Sequence, residues 1–187
     1  AASPFNYNQI SIRREVLVRN ASTFGIPVFC VNHIGAQTEL IFDGGSMVIG
    51  KKGQVIDELN YFQEDLRFYW FDKTDKNVQP ADRGIMGPQN LDTSRIALIY
   101  DALVLGTRTY FRKLGFRDAI LGLSGGIDSA VTLVLAVEAL GNEHVHAVLL
   151  PSRYSTGHSV HDAIGLAENL EVSCQTISIE EIFKSFE

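Results

Sequence analysis

The sequence predicts an α/β protein whose second half forms a parallel sheet, because strand-like and helix-like segments alternate there. The apolar run 119–121 leads into a glycine-rich loop, 122–129, and then into an apolar, alanine-containing helix, 130–140. A second buried strand is predicted over 146–150 and a third over 172–179. Strands joined by helices of this length pair in parallel through right-handed crossovers.

The first predicted element of the chain is a helix that runs to about Phe24 and ends at Gly25. The charged run 13–15 lies on this helix, and its side chains are expected on the exposed face. The buried side of the helix is assigned to its apolar residues, Ile10, Val16, Leu17 and Ala21.

A buried strand is predicted over 26–32, with Cys30 in its middle. His33 and Glu39 follow closely, so a nucleophilic cysteine is one interpretation of this segment. The neighbours of Cys30 are apolar, and a free cysteine is among the most buried residue types. Core packing of Cys30 is therefore favoured.

Two further strands, 39–42 and 47–49, flank the segment Asp43-Gly-Gly-Ser46. This segment has the composition of a phosphate loop, but its position between strands favours a β-hairpin turn or a bulge. The segment Gly50-Lys-Lys-Gly53 predicts a hairpin turn before another strand over 54–59.

A linker is predicted over 72–91. Residues 72–77 are polar, and the glycines and prolines that follow are expected to interrupt regular structure; they are Pro80, Gly84, Gly87 and Pro88.

Beyond the linker, Asp92, Thr93 or Ser94 can cap a helix that ends at Gly115. The tyrosines of this helix are assigned to packing and not to ligand contacts. Its apolar residues recur at helical spacing, namely Ile96, Ile99, Tyr100, Leu103 and Tyr110.

The strand over 146–150 is stopped by Pro151, and a polar loop follows to His158. Another helix should begin near Ser159, and a final one is predicted over 179–186. The buried stripe of the helix after Ser159 is assigned to Ala163, Ile164, Leu166, Ala167 and Leu170.

The loop 122–129 is typical of a nucleotide phosphate site. Adjacent glycines at 125 and 126 let backbone N–H groups converge on an anion at the positive end of a helix dipole. The loop lacks the lysine of a Walker sequence and the spacing of the dinucleotide fingerprint. It carries Asp128 instead, which predicts that Asp128 is a ligand of a Mg²⁺ ion and that this ion bridges pyrophosphate oxygens. A serine- and glycine-rich turn that merely caps the helix is the alternative.

The hexapeptide Ser124-Gly-Gly-Ile-Asp-Ser129 resembles the signature of the N-type ATP pyrophosphatases, which cleave ATP to AMP and pyrophosphate. Together with Leu149-Leu-Pro-Ser-Arg-Tyr-Ser155 it resembles the synthetase domain of the glutamine-dependent NAD synthetases. In the first half, Ala2-Ser-Pro-Phe5, the strand 26–32 and above all residues 37–46 resemble the closing part of a nitrilase-type glutaminase domain.

The resemblance implies the C-terminal half of a nitrilase-like αββα sandwich, followed by the start of a Rossmann-like, parallel-sheet ATP pyrophosphatase domain. The expected divisions are 1–71 for the glutaminase part, 72–91 for the linker and 92–187 for the synthetase part. Both halves look truncated, so an internal fragment is expected. The glutamate, lysine and cysteine of nitrilase-type amidases lie upstream of the Ser-Pro-Phe segment, so no complete glutaminase triad is expected here.

The resemblance also implies roles for particular residues. Ser3 is assigned to glutamine binding, and so is Gln9, which stands where the family usually has lysine or arginine. Asp128 is the expected Mg²⁺ ligand. The expected ATP-binding residues are Gly122, Leu123, Ser124, Gly125, Gly126, Ile127, Asp128, Ser129, Leu149, Leu150, Pro151, Ser152 and Arg153.

The implied reaction is the ATP-dependent amidation of nicotinic acid adenine dinucleotide to NAD⁺. It proceeds through an acyl adenylate, releases AMP and pyrophosphate, and takes ammonia from glutamine. ATP and Mg²⁺ are the implied cofactors, and a cytoplasmic homo-oligomer is expected. Another N-type ATP pyrophosphatase amidotransferase and a non-catalytic nucleotide-binding fragment are the alternatives.

Composition and residue spacing give no support for a nucleic-acid-binding, membrane-spanning or zinc-binding protein. The formal net charge of −6 and the lack of a basic stripe argue against nucleic-acid binding. The apolar runs are too short and interrupted for a membrane span. Two distant cysteines fit a reducing compartment. Four histidines, His144, His146, His158 and His161, match no standard zinc spacing.

Overall fold

A computed structural model describes residues 1–82, 94–152 and 155–180 of the chain. It divides into two compact units, Ala1–Gly106 and Thr107–Glu187. Within the described residues, no helix is both long enough and apolar enough to cross a membrane.

The first unit combines one helix with short antiparallel strands. Its elements are α1 (Gln9–Phe24), β1 (Val28–Cys30), β2 (Ile34–Gln37), β3 (Leu40–Asp43), β4 (Met47–Ile49), β5 (Val55–Glu58), β6 (Tyr69–Phe71) and β7 (Val78–Pro80). They form a three-stranded sheet in the order β1-β4-β5 and two hairpins, β2-β3 and β6-β7. Helix α1 packs on the three-stranded sheet, where Ala21, Met47 and Ile49 are fully buried.

Helix α1 ends at Gly25 as predicted, because Gly25 takes the left-handed conformation (φ 61°) that glycine adopts without steric cost. Two expectations about its faces were wrong. Val16 is exposed, and the Arg13 side chain is only 8% exposed because it is paired with Asp43. A buried ionic partner from another strand thus overrides the charge pattern of the helix.

The expected burial of Cys30 was also wrong. Among the described residues, strand β1 pairs with β4 alone and lies at the edge of its sheet. Cys30 is half-buried at the end of that strand, and its neighbours Phe29 and Val31 are exposed.

The strands on either side of the segment 43–46 are confirmed, but they do not form a hairpin. Strand β3 pairs with β2, whereas β4 pairs with β1 and β5. Gly44 and Gly45 both have positive φ, and their N–H groups donate to protein carbonyls. The segment 43–46 therefore connects strands of two different sheets.

The hairpin turn at 50–53 is confirmed, since Gly50 and Gln54 close it between β4 and β5. Pro80 does not interrupt regular structure as expected. It lies in β7, opposite Tyr69, so the start of the expected linker is a hairpin. Residues 83–93, including Gly84, Gly87 and Pro88, lie outside the described part.

Helix α2 (Arg95–Leu114) begins in the first unit and ends in the second. Ser94 caps it by accepting the Ala97 N–H (3.3 Å), as one of the predicted caps. Tyr110 is 50% exposed, so it is not part of the core of the described residues, although its ring lies 6.3 Å from that of Phe111. The buried residues of the helix are Leu98, Ala102, Val104 and Thr109.

The second unit confirms the predicted parallel sheet. Its remaining elements are β8 (Ala119–Gly122), α3 (Ile127–Leu140), a 3₁₀ turn (Asn142–His144), β9 (Val145–Leu149), α4 (Gly157–Asn169) and β10 (Ser173–Thr176). The strand order is β10-β9-β8, and both pairings are parallel.

Helices α3 and α4 pack on one face of this sheet. The core between them is formed by Leu123, Leu133, Val145, Ala147, Leu149, Ala163, Ala167 and Val172. Strand β10 is shorter than predicted and its residues are exposed. The final predicted helix falls almost entirely on residues 181–187, outside the described part.

Candidate nucleotide-binding site

The predicted phosphate loop lies between β8 and α3, at the carboxyl end of the strand. The Leu123 N–H donates to the Val148 carbonyl (2.9 Å), so the ladder with β9 extends one residue beyond β8. Parallel α/β sheets bind their ligands beyond the carboxyl ends of such strands.

Gly125 occupies a position where only glycine fits. Its φ is 78°, which L side chains rarely adopt. A Cβ atom built on Gly125 would lie 2.1 Å from the Ser159 carbonyl oxygen, a backbone atom at the start of α4. The close approach of α4 to the loop therefore requires a residue without a side chain.

Two serine hydroxyls hold the loop in shape. Ser129 Oγ donates to the Gly126 carbonyl (2.9 Å) and accepts the Ser124 N–H (3.2 Å). Ser124 Oγ lies 3.0 Å from Ser129 Oγ and accepts the Gly126 N–H (3.2 Å). Each serine contacts the backbone on the other side of the turn, so the loop is preorganised by its own side chains.

Helix α3 begins directly after the loop. Gly126 is its N-cap, in an extended conformation (φ −84°, ψ 157°). The first N–H groups of a helix have no carbonyl partner within it, and the helix dipole makes that end positive. Asp128 lies in this first turn and its side chain is exposed.

A cavity of about 280 Å³ opens beside the loop. Six of the predicted ATP-binding residues line it, namely Gly122, Leu123, Ser124, Leu149, Leu150 and Pro151. The start of the loop and the segment 149–151 therefore line the same cavity. The lining does not include the other described members of the prediction, Gly125, Gly126, Ile127, Asp128, Ser129 and Ser152. Arg153 lies outside the described residues.

The sequence prediction missed the contribution of α4. Ser159 and Val160 of α4 also line the cavity, as do Ser155, which precedes the helix, and Val148 of β9. Thr156 is the N-cap of α4, since its Oγ1 accepts the Ser159 N–H (3.2 Å). Helix α4 begins two residues before the predicted Ser159. The sequence signal for this earlier start was Thr156 itself, because threonine is a preferred N-cap residue.

The two residues predicted to bind glutamine lie in the first unit. The Ser3 N–H donates to Asn32 Oδ1 (3.0 Å), and the side chain of Ser3 is half-buried. Gln9 is the first residue of α1, and its side chain is exposed. Within the described chain, no hydrogen bond links these two side chains.

Two of the four histidines, His144 and His146, have partners within the second unit. His144 Nδ1 lies 3.1 Å from Asp118 Oδ1, and this contact lowers the pKa of the Asp118 carboxyl. His146 Nδ1 lies 2.7 Å from Ser173 Oγ.

Known proteins resemble the chain in both sequence and structure. Residues 99–187 match the NAD synthase family. A glutamine-dependent NAD(+) synthetase from Synechocystis sp. is 39% identical over 100% of this chain, and one from Rhodobacter capsulatus is 38% identical over 95%. The structure of glutamine-dependent NAD⁺ synthetase from Acinetobacter baumannii in complex with adenosine diphosphate is 37% identical, with a TM-score of 0.88 over 99% of this chain.

The chain is homologous to the glutamine-dependent NAD(+) synthetases over its whole length. The predicted resemblance and fold class are therefore confirmed. A synthetase of this type from Cytophaga hutchinsonii shares the fold with a TM-score of 0.78 at 19% identity. The chain spans about a third of the length of the relatives it matches, 33% for Synechocystis and 32% for Rhodobacter capsulatus.

Proposed function

We propose that this chain is the part of a glutamine-dependent NAD(+) synthetase that carries its ATP phosphate loop and part of its glutamine subsite. The observation that carries the proposal is the loop 122–129. It combines a glycine whose Cβ position is occupied by backbone with two serines that hold the turn, at the start of a helix. The likeness of both units to synthetases of this type supports this function over that of other ATP pyrophosphatases.

In the proposed reaction, ATP adenylates the nicotinate carboxylate of nicotinic acid adenine dinucleotide, and pyrophosphate leaves. Ammonia from glutamine then attacks the acyl adenylate, AMP leaves and NAD⁺ forms. The loop binds the departing pyrophosphate through the N–H groups at the start of α3, where fixed donors stabilise developing negative charge. Because its serines already hold the turn, little reorganisation is needed when the charge develops.

The cavity residues place the nucleoside. We assign Leu149, Leu150 and Pro151 to the apolar surface for adenine, and by the resemblance we also assign Ser152 and Arg153 to ATP binding. We assign the remaining loop residues, from Gly125 to Ser129, to the phosphates.

Mg²⁺ fits the donors at the loop. Asp128 offers an exposed carboxylate beside the predicted phosphate position, and hard cations bind oxygen ligands of this kind. When bound, the cation neutralises pyrophosphate charge. Asp128 would hold the cation from the first turn of α3.

We assign residues 1–71 to the glutaminase part, 72–91 to the linker and 92–187 to the synthetase part. In this function Ser3 contacts glutamine and Gln9 replaces the usual basic residue. We further propose that the protein is a homo-oligomer and that it works in the cytoplasm.

Calorimetric titration of this chain with Mg·ATP tests the phosphate loop. Gly125→Val should abolish saturable binding, because the new side chain meets the Ser159 carbonyl and requires a disfavoured φ. Gly165→Ala is the matched control, since Gly165 does not line the cavity and a Cβ there meets no atom within 4 Å. Asp128→Asn should reduce the Mg²⁺ dependence of binding.

Equal affinity of Gly125→Val and wild type would contradict the loop assignment. In the full-length protein, release of AMP and pyrophosphate is expected during turnover. Release of ADP and phosphate would contradict the reaction class.

A further inference from the structure

The amino-terminal segment 1–5 is attached to the first unit by hydrogen bonds of its backbone. The Phe5 N–H donates to the Ile41 carbonyl (2.6 Å), which ties the segment to β3. Ser3 is held differently, because its N–H donates to the side chain of Asn32 at 3.0 Å. The position of Ser3 therefore depends on where the Asn32 amide lies.

The Asn32 side chain is buried and uses both ends of its amide. Oδ1 accepts the Ser3 N–H, while Nδ2 donates to Asp43 Oδ1 (2.9 Å) and to the Gly44 carbonyl (3.0 Å). A longer contact of 3.4 Å joins Nδ2 to the Ser3 carbonyl. The Asn32 side chain thus contacts both the backbone N–H and the backbone carbonyl of Ser3.

Asp43 is itself immobilised by Arg13. The carboxylate is 1% exposed, and its two oxygens accept Arg13 Nη1 (3.1 Å) and Nη2 (2.9 Å). A two-point contact between a guanidinium and a carboxylate fixes the orientation of both groups. Arg13, Asp43 and Asn32 therefore form a rigid chain of contacts that ends at Ser3.

The Ser3 hydroxyl makes no hydrogen bond to any residue in the part of the chain that the structure describes. Its backbone is constrained on both sides, and its side-chain oxygen retains its capacity to donate and accept. This is the arrangement expected of a hydroxyl that is held ready for a polar ligand.

We propose that Asn32 is a positioning residue for glutamine, which it serves by setting the Ser3 backbone so that the hydroxyl faces the substrate. The inference rests on the proposed function, in which Ser3 contacts glutamine. Asn32 acts through Ser3 and not on the substrate itself. Its effect should therefore disappear when the Ser3 hydroxyl is absent.

A double-mutant cycle in the full-length protein tests this coupling. Asn32→Ala should raise the KM for glutamine about tenfold, as expected if the hydrogen bond between the Ser3 hydroxyl and glutamine is lost. Its kcat with ammonia as nitrogen donor should stay at the wild-type value. Ser3→Ala should raise the glutamine KM similarly, and adding Asn32→Ala to it should cause no further rise. Asn20→Ala, an exposed asparagine on α1, is the matched control and should leave both parameters unchanged.

The outcomes separate the inference from the function on which it rests. If Ser3→Ala leaves the glutamine KM unchanged, the glutamine role of Ser3 fails and the inference fails with it. If Ser3→Ala raises the KM but Asn32→Ala does not, or if the two effects add, only the inference fails.

A second measurement does not require the variant to fold. In the wild-type chain, hydrogen exchange followed by NMR should show the Ser3 amide protected at least about tenfold relative to an unstructured peptide, because it donates to a part-buried acceptor. Exchange at the unstructured rate would overturn the inference.

Discussion

Individual residues of the first unit show how a charge can belong to the core. Arg13 lies on a helix whose sequence suggests an exposed polar face, yet it reaches Asp43 through two hydrogen bonds. Burial opposes ionisation of Arg13, but its contact with Asp43 raises the pKa of the guanidinium, so the pair remains ionic. The pairing depends on residues 30 positions apart, which a local pattern does not reveal.

Replacing Arg13 should destabilise the chain strongly. Arg13→Met would leave the Asp43 carboxylate buried without its cationic partner, at a cost of about 3–5 kcal/mol in the free energy of unfolding. Arg19→Met on the exposed face of the same helix is the control, with an expected change within about 0.5 kcal/mol. Urea unfolding monitored by circular dichroism measures both. Similar small losses for the two variants would show that the Arg13–Asp43 pair contributes little.

Local sequence predicted the helices and turns of this chain better than it predicted the pairing of its strands. Glycine stops and apolar runs correctly predicted α1, the hairpin at 50–53, the strand–loop–helix at 119–140 and α4. These features depend on backbone conformation and on contacts within a few residues. Which strand pairs with which was not accessible in the same way. Strands β3 and β4 are neighbours in sequence but belong to different sheets.

The candidate site follows the same division. The loop and the segment 149–151 were recognisable because their residue types carry the chemistry, and the parallel sheet brings them to one cavity. Ser155 and Ser159 were missed because their contribution depends on where α4 starts and how it approaches Gly125. The proposed role of Asn32 depends on its contacts with Asp43 and Gly44, in the connection between β3 and β4. The sequence suggested a hairpin turn or a bulge there.

The β6–β7 hairpin is anchored by a cluster of polar side chains on β5 and the segment before β6. Asp57 accepts Arg67 Nη1 (2.7 Å) and the Tyr69 hydroxyl (2.8 Å), and Arg67 also reaches Asp65 (2.9 Å). Burial of the phenol and its hydrogen bond to Asp57 raise the pKa of Tyr69. The protonated phenol is therefore favoured by the folded chain.

This anchor predicts a loss of stability in alkali. A tyrosine has a pKa of about 10 in an unfolded chain. Since the folded value is higher, the contribution of Tyr69 is complete below that pH and is lost as the pH rises towards the folded pKa. The unfolding free energy of the wild type should fall above pH about 10 more steeply than that of Tyr69→Phe. Urea titrations at a series of pH values measure the difference, and identical slopes would contradict the assignment.

At the scale of the whole molecule, the parallel sheet of the second unit is covered on one face by the described residues. Alternate residues of β9, Val145, Ala147 and Leu149, are buried under α3 and α4. On the neighbouring strand β8, Ile120 is 78% exposed. Parallel sheets are normally covered on both faces, and the relatives are about three times as long as this chain. The proposed function thus places further sequence over the face that carries Ile120.

Two alanine substitutions on adjacent strands test this one-sided burial. In the 187-residue chain, Leu149→Ala should lower the unfolding free energy by about 2–5 kcal/mol, because it opens a cavity in the core. Ile120→Ala should change it by less than about 0.5 kcal/mol, because the side chain is already in water. In the full-length protein Ile120→Ala should become costly, by about 2 kcal/mol or more if the side chain is then buried. An unchanged small effect there would mean that this face stays open to solvent, and that the sheet is not completed as the proposed function requires.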